Sequence, residues 1–101
     1  MIRRISITRL AWDDLRLSAE WIERDNSAAA IRFLDSCETI FRLIATQPEI
    51  GVLGRYRNPT LHDVRILPVP GFERYLVFYH VESDEIQILR MRHSAQRSPR
   101  P

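Results

Sequence analysis

The chain has 101 residues, 45% hydrophobic and 28% charged, with a formal net charge of +2, the size and mix of one small globular domain. All fifteen cations are Arg and none is Lys, which excludes Schiff-base, general-base or phosphate-clamp chemistry that depends on Lys and leaves roles suited to planar, permanently charged donors. No apolar run approaches the ~20 residues of a membrane span, no signal-like apolar core follows the basic start, and Cys37 stands alone; the expectation is a cytoplasmic protein without disulfides or a Cys-bound zinc.

Ile2 to Ile7 is short and β-branched and reads as a first strand, suited to a sheet edge. Thr8 is placed to cap a helix that follows. From Leu10 to Arg24, Ala11, Leu15, Ser18 and Ile22 form one stripe, and Leu10, Leu17 and Trp21 an adjoining one, which predicts a helix with a wide apolar face. Asp13 and Asp14 near its beginning suit the helix dipole. Asp25-Asn26-Ser27 reads as a turn, with Asn26 or Ser27 capping a second helix. In that helix Ala30, Phe33, Leu34, Cys37, Ile40, Phe41 and Ile44 keep helical spacing over four turns, so Cys37 reads as a small buried hydrophobe. Pro48 disfavours helix at Gln47 and ends it. The short gap makes the pair an antiparallel helical hairpin.

Residues 47–59 hold Pro48, Gly51, Gly54 and Pro59 and read as a connector. Three strand-like runs follow. Val64 to Val69 ends at a Pro70-Gly71 turn signal. Arg74 to Val81 is nearly all apolar or aromatic, as a central strand buried on both faces requires. A polar loop at 82–85 leads to a last strand that ends near Arg92. Residues 1–97 are read as one domain and 98–101 as a disordered tail. The order is β-α-α-β-β-β, an α+β fold with a helical hairpin packed on a small, mainly antiparallel sheet.

The glycines Gly51, Gly54 and Gly71 open no helix, and His62, His80 and His93 are widely spaced; no nucleotide or metal cofactor is expected. Residues 1–54 carry seven Arg against eight acids, and residues 55–101 eight Arg against five. Arg55, Arg57, Arg65, Arg74, Arg90, Arg92 and Arg97 are candidates for a basic patch on one side of the sheet, fit for an anionic surface such as RNA. The alternative is a solvated strand face. His93, beside Arg90 and Arg92, is the strongest candidate for a general base. RNA cleavage by 2′-hydroxyl attack would draw on His93, Glu49 and Arg65 or Arg90. Capping or structural duty is the other reading of His93.

Several segments together resemble the ParE branch of the ParE/RelE toxins of bacterial toxin–antitoxin modules. They are Ala11, Asp14 and Leu15; Trp21, Ile22, Asp25, Asn26 and the Ala28-Ala29-Ala30 run; Pro48 and Gly51; Leu61, Arg65 and Pro68; Tyr75-Leu76-Val77-Phe78-Tyr79 and Val81; and Ile86, Ile88, Leu89, Arg90 and His93. The resemblance spans about Ile5 to Arg97 and implies the RelE/ParE toxin fold. It implies a toxin that inhibits DNA gyrase by contact rather than catalysis and is neutralised by a cognate ParD-like antitoxin. RelE-like relatives instead cut mRNA on the ribosome; on that alternative Arg65, Arg90 and His93 are the catalytic set. The sequence departs from RelE-like sites in having no Lys, and from the common ParE ending in having Gln96 three residues after the His. A helical hairpin on a small sheet leaves an apolar groove. Trp12, Leu17, Trp21 and Phe72 are candidate exposed anchors there for an antitoxin helix, with Arg65 and Arg74 to meet its acidic segment.

Overall fold

A computed structural model describes residues 3–54 and 63–95. Its elements are β1 (Arg4–Ile7), α1 (Arg9–Asp25), α2 (Ser27–Thr46), a 3-10 turn (Pro48–Ile50), β2 (Val52–Leu53), β3 (Val64–Val69), β4 (Phe72–Val81) and β5 (Glu85–His93). The expected basic segment at Arg55 and Arg57, His62, and the tail from Gln96 onward lie outside the described residues.

Thr8 starts α1 in two ways. Its hydroxyl accepts from the Ala11 N–H at 3.1 Å and donates to the Leu89 carbonyl at 2.9 Å, so one side chain caps the helix and ties its start to β5. Asn26 ends α1 and caps α2, accepting from the Ala29 N–H at 3.0 Å. α1 begins at Arg9, so Asp13 and Asp14 fall in its second turn and its first turn holds no acid. Their expected dipole role is therefore displaced, and Asp14 has a different task, described below.

The five strands form one mixed sheet in the order β1-β5-β4-β3-β2. β1 runs parallel to β5, with Ile5 opposite Ile86 and Ile7 opposite Ile88; the other pairs are antiparallel. This is the expected α+β architecture with one added strand. β2 pairs through only Val52 and Leu53, too short to show a period inside a Pro- and Gly-rich connector.

The helices cover one face. Ala11 and Leu15 of α1 and Phe33, Cys37, Ile40 and Ile44 of α2 pack on Val69, Val77, Tyr79, Ile86, Ile88 and Met91. Val64 and Phe78 are buried as well. Phe78 alternates with Val77 and Tyr79, so β4 is buried on both faces as its composition requires. β5 loses its alternation after Ile88 for a local reason: Phe78 pairs with Arg90 and Tyr79 with Ile88, leaving Leu89 as an extra residue. This bulge lets positions 86, 88 and 91 all reach the core. Burial pushes the Cys37 thiol up to about 12, which fits a packed apolar role.

The wide apolar face expected of α1 is only half used. Leu10, Leu17 and Trp21 are exposed, as is Leu34 of α2. The stripe through Ala11, Leu15 and Ile22 packs on the sheet, and the adjoining stripe is left out of the core.

Candidate functional site

α1 and the end of the sheet enclose a groove of about 510 Å³. One wall is the outer stripe of α1, with Leu17 54% and Trp21 62% exposed. The other is formed by Tyr75 of β4 and Met91 and His93 of β5. β1 pairs with β5 only as far as Ile88, so β5 runs on past its neighbour. Asp14 closes part of that gap. Its carboxylate accepts from Arg90 Nε at 2.7 Å, from Arg90 Nη2 at 3.1 Å and from the Met91 N–H at 3.0 Å. A fork-to-fork pair of this kind is directional as well as strong. The hydrogen bond to Asp14 raises the Arg90 pKa above its ordinary value. Asp14 thus fixes the distance between α1 and β5 and sets the width of the groove.

At the groove's end, the Tyr75 ring meets His93 edge-on at 4.8 Å and packs on Phe33 at 5.0 Å. His93 Nδ1 accepts from the Ala95 N–H at 3.0 Å. Trp21 also lies under the Arg24 guanidinium at 5.2 Å, a cation–π contact that holds its ring at the mouth.

A second cluster lies at the other flank of the sheet. The Tyr79 hydroxyl accepts from the Gly51 N–H and donates to the Pro48 carbonyl, both at 2.8 Å. Arg65, opposite Tyr79 on β3, donates to the Gly51 carbonyl at 2.7 Å and the Glu49 carbonyl at 3.2 Å. A Cβ at Gly51 would lie 2.6 Å from the Tyr79 oxygen, so only glycine fits there. Burial raises the Tyr79 pKa, partly offset by the Gly51 hydrogen bond and the Arg65 charge. This cluster is a clamp on the connector, with Arg65 spent on backbone carbonyls.

The sequence-derived site residues therefore separate. Leu17 and Trp21 share the α1/β5 groove. Trp12 faces a different groove, between the two helices, beside Ile31 and Leu34. Phe72 corrects the expectation of an exposed anchor: it is half-buried, edge-on to Phe33 at 5.3 Å, because the Pro70-Gly71 turn folds it back under α2. Arg74 is exposed on β4, and its carbonyl accepts from the Ser94 N–H. Strand alternation puts Arg74 and Arg92 on the face of the sheet away from the helices and Arg65 on the helix side, while Arg90, beside the bulge, reaches Asp14 of α1, so the expected single basic patch is divided. Arg65 and His93 sit opposite Tyr79 and Tyr75, on the order of 13 Å apart along the strand direction alone. Glu49 is exposed and contributes its carbonyl to the Arg65 clamp.

Sequence reasoning missed the roles of Asp14 and Tyr79. Both carried a signal. Asp14 is an acid three residues after Ala11, on the border of the apolar stripe, where a carboxylate needs a partner. Tyr79 is a hydroxyl in a buried apolar run, and such hydroxyls find acceptors.

The family model described as the ParE toxin of type II toxin-antitoxin system, parDE, matches residues 5–98. The chain belongs to the ParE toxin family. As a ParE-family chain it is similar in structure to a chain of the chromosomal ParDE TA system from P. aeruginosa, at 20% identity and a TM-score of 0.64, over 91% of this chain and 96% of that one. At that identity the likeness concerns the fold, and it agrees with the helical hairpin on a five-stranded sheet. No curated protein matches the chain by sequence. No helix among the described residues is long and apolar enough to cross a membrane.

Proposed function

We propose that this ParE-family chain inhibits DNA gyrase by direct contact and is neutralised by a ParD-like antitoxin seated in the α1/β5 groove, both partners meeting it in the cytoplasm. One observation carries the antitoxin part: Leu17 and Trp21 stand exposed on α1 and face an apolar wall of Tyr75 and Met91. Exposed large apolar groups beside a formed groove mark a binding surface. Trp21 is the expected anchor, since aromatic residues dominate such contacts.

Contact rather than catalysis is supported by the employment of the cations. Arg90 is paired with Asp14, Arg65 holds two carbonyls, and His93 lies away from Arg65. An mRNA-cleaving site needs a base, an acid and free cations around one phosphate. Induction in a susceptible bacterium is expected to trigger the DNA-damage response, and co-expression of a ParD-like antitoxin to silence it. Primer extension on ribosome-bound mRNA is expected to show no toxin-dependent cut. Cuts that disappear in His93→Ala and Arg65→Ala would instead assign the chain to the mRNA endonucleases.

A further inference from the structure

The second groove lies on the other side of α1, in the furrow between α1 and α2, with a volume of about 460 Å³. Its floor is apolar. Trp12 is 54% exposed and Ile31 62% exposed, with Leu34, Leu15, Ala19 and Ala30 completing the surface. Its rim is acidic. Asp13, Glu20 and Glu23 line it together with Arg16, and Arg16 is already bridged to Glu20 at 3.2 Å and to Asp13 at 4.0 Å. The rim thus has the opposite sign to the chain, whose net charge is +2. The core makes no use of Trp12, Ile31 and Leu34, which are exposed. The stripe through Ala11, Leu15 and Ile22 and the α2 stripe through Phe33, Cys37 and Ile40 already fill the core.

We propose that this α1/α2 furrow is a docking site for a basic amphipathic helix of another protein. Charge selects the class of partner. Phosphate-bearing partners, nucleic acid or anionic lipid, are repelled by the acidic rim. A second copy placed face to face would set acids against acids. Backbone chemistry selects the shape. The walls are helices whose interior N–H and C=O groups are internally bonded, so no open strand edge is present to pair with an extended peptide. A helix instead lays its side-chain ridges into the furrow between two others. From Trp12 to Glu23 the furrow runs roughly 16 Å along α1, about three turns of a partner helix. Its apolar side would cover Trp12 and Ile31, and Arg or Lys on its flanks would meet Asp13 and Glu23. The site lies on the opposite flank of α1 from the proposed antitoxin groove, with Glu20 on the ridge between the two.

The two tryptophans of the chain make the test direct, because Trp12 lines one groove and Trp21 the other. In the full chain carrying Trp21→Phe, Trp12 alone reports. The probe is a synthetic amphipathic helix with Leu at helical spacing and Arg on its flanks, against an otherwise identical peptide with Glu in place of Arg. The basic peptide is expected to blue-shift Trp12 emission saturably, less so at high salt, and the acidic peptide to leave it unchanged. Asp13→Arg/Glu23→Arg is expected to weaken the basic peptide roughly tenfold and to admit the acidic one. Ile31→Asp, at an exposed position that leaves the core intact, is expected to abolish the shift with an unchanged melting temperature. Equal binding of both peptides overturns the proposal. So does a shift confined to the Trp21 reporter of Trp12→Phe. Concentration-dependent dimers in sedimentation, lost in Ile31→Asp, would overturn it too, by assigning the furrow to a second copy. Antitoxin binding is read at Trp21, so failure at one groove is distinguishable from failure at the other.

Discussion

Tyr79 shows how one hydroxyl organises a connector with little hydrophobic pattern of its own. It holds the Pro48 carbonyl and the Gly51 N–H, and Arg65 takes the carbonyls of Glu49 and Gly51. Tyr79→Phe removes both bonds and leaves a buried N–H unpaired, an expected loss of about 1–3 kcal/mol by chemical denaturation. Gly51→Ala pushes a methyl against the Tyr79 oxygen and is expected to cost a similar ~1–3 kcal/mol. The double variant should lose much less than the sum, because removing the Tyr79 oxygen makes room for the methyl. Cys37 belongs to the same scale. Burial raises its pKa from 9.0 to about 12, so the folded chain holds this proton more tightly than the unfolded chain does. Its contribution to stability is full below about pH 9 and is lost as pH rises toward 12. Melting temperature is therefore expected to fall over that range. Cys37→Ala should make the fall shallower without removing it, since burial also raises Tyr75 and Tyr79.

At the scale of elements, the position of α1 against β5 decides the groove. Asp14 sets it through Arg90 and the Met91 N–H. Asp14→Ala leaves a half-buried guanidinium and a strand-edge N–H without their acceptor, and is expected to lower both stability and antitoxin affinity. Trp21→Ala separates the two effects. Its side chain is exposed, so stability is expected to move by less than ~0.5 kcal/mol. Antitoxin affinity, measured by calorimetry, is expected to fall at least tenfold, the ~1.4 kcal/mol or more of an interfacial anchor. The elements were largely legible because their periods are long and clean: α2 keeps its stripe for four turns, and β4 is unbroken. β2 has two residues and no period to read. The β5 bulge depends on which residue of β4 faces Leu89, information held in pairing rather than in either strand. The site was half legible for a similar reason. Helical spacing placed Leu17 and Trp21 on one stripe, but whether a stripe meets sheet or solvent depends on how far the sheet extends. Trp12 fell on a separate furrow for that reason, and Phe72 is half-buried because of the turn before it.

For the whole molecule, the division of labour lies between faces. The core holds the hairpin on the sheet, α1 presents apolar grooves on both flanks, and Arg74 and Arg92 lie on the face of the sheet remote from the helices. The absence of Lys and the engagement of Arg65 and Arg90 with the chain's own carbonyls and carboxylate favour recognition over cleavage. A binding toxin should lose potency gradually as contact residues are removed one at a time, whereas a catalytic one collapses when its base is lost. His93→Ala is accordingly expected to reduce growth arrest by only a small factor in a titrated induction assay.

The most direct measurement is supercoiling by purified DNA gyrase with increasing amounts of the purified chain. Loss of supercoiled product, accumulation of gyrase–DNA cleavage complexes, and full reversal by a ParD-like antitoxin that fails to rescue against Trp21→Ala are expected. Unchanged supercoiling at saturating toxin would contradict gyrase inhibition by direct contact.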